Sequence, residues 1–167
     1  MLGLQHKEKL KFIDFKSPVT WIATWGGSGF ISPASGTWGT LAGLPFGIGL
    51  MMVGGPIALL IGLAIVIPLG LWASKHFEIM ARDKDSGMIV IDEVAGLWIA
   101  LLPAVLTSWS VAAAFLLFRF FDVLKPYPIS WIDKKMQGAF SIMGDDLMAG
   151  IYAAIVLIGL QYVGFAS

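Results

Sequence analysis

Cysteine is absent from the 167 residues. That removes disulfides, thiolate metal sites and every cysteine-nucleophile mechanism. Histidine is nearly absent: only His6 and His76 occur, which gives no basis for a histidine-rich Zn2+ site. Charge is scarce too. Only 13% of residues are charged and 57% are hydrophobic, about half the charged fraction of an ordinary soluble domain. A soluble core of this size could not hide so much apolar surface, so lipid is the expected solvent. The net charge of zero offers no long-range attraction to nucleic acid. The first 20 residues carry Lys7, Lys9, Lys11 and Lys16 with acids between them and no apolar core, which does not read as a signal peptide.

What is present is a single domain, 1–167, with three long stretches free of charge at 38–74, 94–118 and 147–167. A spanning helix needs about 20 apolar residues. The first stretch is too long for one span and holds Gly54-Gly55-Pro56, so it divides into helices near 38–53 and 57–77. The second is broken by Pro103 and Thr107-Ser108 and reads as a helical hairpin with arms near 88–106 and 109–123. The third is one span, about 145–164. The expected fold is all-α: a polytopic membrane bundle of about five segments, the first short or re-entrant. A short interfacial amphipathic helix near 131–138 and a polar cytoplasmic segment, 1–20, complete it.

With the breaks on one side of a bilayer, every basic residue falls on the other, including Lys75, Arg82, Lys84, Arg119, Lys125, Lys134 and Lys135. Basic loops stay cytoplasmic, so the N-terminus and the polar loops are expected there. The acids share that face, from Glu8 and Asp14 to Asp145 and Asp146.

Four polar segments meet at this face. The run from Gly26 to Thr40 mixes glycines and hydroxyls ahead of a helix. Ser28, Gly29, Ser32, Gly36 and Thr37 there suit a phosphate group, because glycine lets backbone N–H groups approach an oxyanion. Turn and N-cap roles account for the same residues equally well. Asp92-Glu93 opens an apolar helix, where one acid would complement the helix dipole but two call for a function. Arg119, Asp122 and Lys125 are spaced to share a helical face. The two cations fit interface anchors, yet an acid at a helix C-terminus opposes the dipole and wants a cation. Asp133 lies in the amphipathic piece, and Asp145-Asp146 repeats the acid pair at the start of the last span. Several carboxylates with so little histidine suit a hard cation, Mg2+ before Mn2+ or Ca2+. Arg119 and Lys125 would then stabilise charge on a transferring phosphoryl group.

The runs GSGFISPASGTWGTLAGLP, IVIDEVAG, FRFFDVLKPYPISWID and MGDDLMAG, in this order and spacing, resemble the phosphatidylglycerophosphatase A family over about residues 20–160. The resemblance implies a membrane-bound, Mg2+-dependent lipid phosphatase of the bacterial inner membrane. Such an enzyme converts phosphatidylglycerophosphate to phosphatidylglycerol, and here its site would face the cytoplasm. It also implies that Asp92, Glu93, Asp122, Lys125, Asp133, Asp145 and Asp146 lie in the functional motifs. The chemistry assigns Asp92, Glu93, Asp122, Asp145 and Asp146 to the metal, and Arg119, Lys125 and Asp133 to the substrate headgroup.

Other phosphatase classes lack their required parts here: no cysteine nucleophile, no Pro-Ser-Gly-His run, and no Asp-x-Asp after an apolar strand. The Asp-Gly-x-x-Ala-Arg core of the CDP-alcohol phosphotransferases is missing too. The alternatives from other functional classes are a small ion-coupled transporter and a non-enzymatic scaffold. A transporter would place its acids near the bilayer midplane. A scaffold would have no use for three carboxylate clusters on one face.

Overall fold

The computed structural model describes residues 10–84, 86–135 and 139–164, with backbone alone at 134, 135, 139 and 140. His6, Lys7, Glu8, Lys9, Asp85 and the 136–138 part of the amphipathic segment lie outside the described residues, as do the side chains of Lys134 and Lys135. Among the described residues all regular structure is helical. Two 3-10 turns, Leu10–Phe12 and Ser28–Phe30, flank α1 (Pro18–Ala23). The remaining helices are α2 (Ser35–Ala81), α3 (Ile91–Leu101), α4 (Ser108–Leu124), α5 (Ile129–Lys135) and α6 (Ala139–Tyr162).

The long α2 is two helices in sequence. Its backbone leaves helical geometry at Gly54 and Gly55, the latter at φ 62°, where only glycine is free of strain. Pro56, with φ preset for a helix, then opens the second arm. A Cβ on Gly62 would lie 2.8 Å from Leu50, although a straight helix would hold residues twelve apart at about 18 Å. The arms 35–53 and 56–81 therefore fold back on each other. Trp98 of α3 is wedged between them, its ring against both Gly47 and Gly62 and its Nε1 donating to the Gly43 carbonyl at 3.0 Å.

Helix α3 is the axis of the bundle. Nine of its eleven residues are buried, Asp92 among them. It is shorter than the arm expected over 88–106. Met88, Ile89 and Val90 are buried but not helical, because the Val90 N–H is spent on the Ala23 carbonyl at 2.9 Å, tying this segment to the end of α1. At the far end Leu102 and Pro103 turn the chain, and Thr107 caps α4 by accepting from the Ser110 N–H at 3.2 Å. Gln161 of α6 closes the same end, donating to the Pro103 carbonyl at 3.0 Å and to the Ser110 hydroxyl at 3.2 Å.

By length and composition, two helices among the described residues can cross a membrane: α2 and the 141–162 part of α6. The outer surface is strongly apolar. Phe46, Val53, Ile57, Ile65, Leu116 and Ile155 are all exposed by 59% or more, on a scale a soluble monomer rarely shows.

Candidate active site

Asp92 and Glu93 occupy the first turn of α3, Arg119 and Asp122 the last turns of α4, and Asp145 and Asp146 the second turn of α6. Lys125 caps α4 in the left-handed conformation, φ 43° and ψ 57°, with its N–H on the Phe121 carbonyl. That geometry turns the chain sharply into Pro126 and swings the ammonium towards α5 and α6. The fold thus gathers at one end acids that are up to 54 residues apart.

Two cations organise them. The Arg119 guanidinium meets Asp122 at 2.6 Å and Glu93 at 3.7 Å, and donates to the Thr40 hydroxyl at 3.4 Å. The Lys125 ammonium donates to Asp133 at 2.7 Å and Asp145 at 2.6 Å. Burial alone would push the Lys125 pKa down, but the two hydrogen-bonded carboxylates hold it well above the usual lysine value. It stays charged throughout the physiological range.

Six acids share those two cations, and the remainder is not compensated. The Asp146 carboxylate is buried, and among the described residues no hydrogen bond or ion pair reaches it. It lies within electrostatic reach of Asp92, Asp122, Glu93 and Asp145, all of the same sign. Asp92 is buried as well and accepts the Glu93 N–H at 2.9 Å. Glu93 Oε2 is fully enclosed, with no hydrogen-bond partner among the described residues. Unpaired carboxylate oxygens in a protein interior are costly and mark a place where a cation belongs. Among the described residues no three acidic or histidine side chains form a ready-made coordination shell. Arg119 and Lys125 draw Glu93, Asp122, Asp133 and Asp145 to themselves, leaving Asp92 and Asp146 as the carboxylates of the cluster without a cationic partner among the described residues. Two carboxylates completed by phosphate oxygens and water is a usual arrangement for Mg2+, so the donor set fits that ion.

The glycine–hydroxyl run is placed differently from the reading given above. Ser28 is buried, its hydroxyl donating to the Thr24 and Trp25 carbonyls at 3.0 and 3.1 Å. Gly29 is pressed against the Met88 backbone, so close that any Cβ would collide with it. Both are committed to packing, and neither faces the acids. Ser32 is exposed, Gly36 and Thr37 half-buried. Ser35 donates to the Gly87 carbonyl. Of the five phosphate candidates Gly36 reaches the site, lying flat against the Glu93 carboxylate, where a Cβ would sit 2.9 Å from Cδ. Its neighbour Gly39 does the same one turn on, 3.0 Å from Glu93 Oε2. These glycines let a helix and a carboxylate approach.

Sequence reasoning missed two side chains. Thr40 holds Arg119 from the α2 side and donates to the Gly36 carbonyl at 2.8 Å; it stands in the glycine–hydroxyl run and was legible as a candidate. Tyr152 donates to the Tyr127 carbonyl at 3.2 Å and packs edge-on against Phe121, bracing the turn that presents Lys125. Nothing local in the sequence marks it.

Two curated relatives are bacterial proteins named phosphatidylglycerophosphatase A. The one from Haemophilus influenzae is 43% identical over 95% of this chain and 98% of its own length. The one from Escherichia coli is 35% identical over 92% and 90%. A Bacteroides thetaiotaomicron protein, named provisionally as a phosphatidylinositol-3-phosphatase, is 35% identical over 85% and 92%. No solved structure matches the chain. Residues 21–161, which include every charged residue of the site, match the family model for Phosphatidylglycerophosphatase A, and the chain belongs to that family.

Proposed function

We propose that this chain hydrolyses the terminal phosphomonoester of phosphatidylglycerophosphate, giving phosphatidylglycerol and inorganic phosphate. The observation that carries the reading is the pairing of two uncompensated buried acids, Asp92 and Asp146, with two fixed cations, Arg119 and Lys125, at one end of a lipid-compatible bundle. A headgroup phosphate is anionic and needs both: cations for its own charge, and a metal between it and the acids.

Asp92 and Asp146 would hold Mg2+, with Glu93 Oε2 as a further donor. When bound, the ion would supply charge neutralisation at the phosphoryl oxygens and a more acidic water. Arg119, fixed by Asp122 and Thr40, would neutralise charge on the equatorial oxygens, where it is greatest in the transition state. Lys125 stays protonated and serves as a second clamp or as a neutralising partner for the leaving alkoxide. Asp133, the more exposed of the Lys125 partners, is positioned to meet the glycerol hydroxyls of the headgroup.

Five segments would cross or enter the bilayer: the two arms of α2, α3 with its flanks, α4 and α6. By the distribution of Lys and Arg, the charged end and the N-terminus would face the cytoplasm. The site would then lie just under the headgroups, where its substrate already resides.

The test is phosphate release by purified protein from phosphatidylglycerophosphate, phosphatidic acid, phosphatidylinositol 3-phosphate and a soluble phosphomonoester, each with Mg2+ or with EDTA. Turnover should be fastest on the first and vanish with EDTA. Preference for phosphatidylinositol 3-phosphate would move the chain to the specificity named for the Bacteroides relative; EDTA-resistant turnover would overturn the metal reading.

A further inference from the structure

Helices α3 and α6 run in the same direction, since Asp92, Gly96 and Pro103 meet Asp146, Gly150 and Gln161 in order. Both helices spell Asp-x-x-Ala-Gly: Asp92 to Gly96 and Asp146 to Gly150. The repeated glycine is where the helices touch. A Cβ on Gly96 would lie 2.5 Å from the Asp146 carbonyl oxygen and 2.5 Å from the Phe118 ring. One on Gly150 would run into the Gly96 carbonyl and sit 3.0 Å from the Ile99 Cβ. Ala95 and Ala149 beside them are fully buried. Backbone therefore lies on backbone, as small residues permit between helices in lipid. Each acid stands one turn before its glycine, about 6 Å along the axis, so the crossing fixes how far apart the two carboxylates lie.

We infer that Gly96 and Gly150 are positioning residues that set the Asp92–Asp146 separation to the span of a small divalent cation. The inference rests on the site proposed above, but its geometric half is independent of any metal. Glycine in the middle of a helix is normally a weakness; here it occurs at the same register behind both uncompensated acids. Gly49 and Gly159, with open space where a Cβ would go, are the natural controls.

The absence of native cysteine makes the separation directly measurable. In an Asp92→Cys/Asp146→Cys protein, a short bis-methanethiosulfonate should bridge the two thiols, read by mass spectrometry. Adding Gly96→Ala or Gly150→Ala should cut the bridging yield at least about fivefold, and adding Gly49→Ala or Gly159→Ala should not. If Gly96→Ala does not fold, Phe118→Leu is added to clear the ring from the methyl's path, leaving the contact with the Asp146 carbonyl in place. Unchanged bridging in the folded variants overturns the inference.

The second arm titrates Mn2+ by electron paramagnetic resonance against protein with its acids intact. Gly150→Ala should weaken Mn2+ binding about tenfold or more. Asp146→Glu in that background, longer by one methylene, should recover part of the loss, which a purely structural defect would not allow. Wild-type affinity in folded Gly150→Ala protein overturns the inference. Failure of the wild-type protein to bind Mn2+ at all would instead overturn the metal reading, with the bridging result still deciding the role of the glycines.

Discussion

The two ends of the bundle both join helices through polar side chains, three helices at one end and five at the other, and they differ in how the polar groups are matched. At the uncharged end Gln161, Ser110 and Thr107 interlock with the Pro103 carbonyl and the Val105 and Ser110 N–H groups. Among the described residues no buried side-chain polar atom at that end lacks a partner, and no charge is involved. At the charged end six acids meet two cations, Glu93 Oε2 has no partner, and nothing among the described residues reaches the Asp146 carboxylate. Evolution can close a polar network between helices, and the first end proves that this chain does so. The second end is left open, as the proposed binding of a cation and a phosphate there requires. A balanced network locks a fold, whereas an unbalanced one is a binding site.

The contrast is broken most severely by Asp146→Asn. Phosphate release should fall by about 10³-fold or more, as expected when a preorganised charge is removed from a reacting centre. The thermal midpoint in detergent should rise, because a buried like-charge contact is relieved. A variant that loses activity and stability together would place Asp146 among the structural residues. Next is Gly36→Ala, whose methyl displaces the Glu93 carboxylate. A drop of about 10- to 100-fold in kcat with intact membrane insertion is expected, in line with lost support for a functional side chain. Wild-type kcat would separate Glu93 from the chemistry.

Tyr152→Phe sharpens the comparison with a smaller effect. It deletes one hydrogen bond to the Lys125 turn, and the equivalent of about 0.5–1.5 kcal/mol predicts a roughly 2- to 10-fold change. If Lys125 acts on bound phosphate, the loss should appear mainly in kcat; a change in KM alone would assign the turn to headgroup binding. The smallest functional effect belongs to the other end. Gln161→Leu should cost about 1 kcal/mol of stability and leave kcat within about twofold of wild type. A large kcat loss from that distance would contradict the division between the ends.

Apart from Asp133, the acids of the candidate site were legible because they stand near the edges of runs that belong in lipid, where one unneeded charge is expensive. The helix breaks at Gly54-Gly55 and near Thr107 were legible for an equally local reason: the residues there specify a backbone geometry by themselves. The glycine–hydroxyl run was not. Glycine permits close approach without saying what approaches, and at Gly29 the partner is the Met88 backbone while at Gly36 it is the Glu93 carboxylate. Likewise the spacing of Arg119, Asp122 and Lys125 pointed to one face, but the left-handed Lys125 turns its ammonium to α5 and α6 instead. Such partners are chosen by tertiary packing, which no window of sequence contains.

Eleven helical residues rise only about 16 Å, so α3, with the acids in its first turn, stops near half the thickness of a hydrocarbon layer of about 30 Å. The helix that bears two of the candidate acids is thus short beside α2, α4 and α6. A helix that starts at one face and stops inside the layer offers no path to the other face, so a headgroup drawn to the acids would enter from its own leaflet and the freed phosphate would leave on the same side.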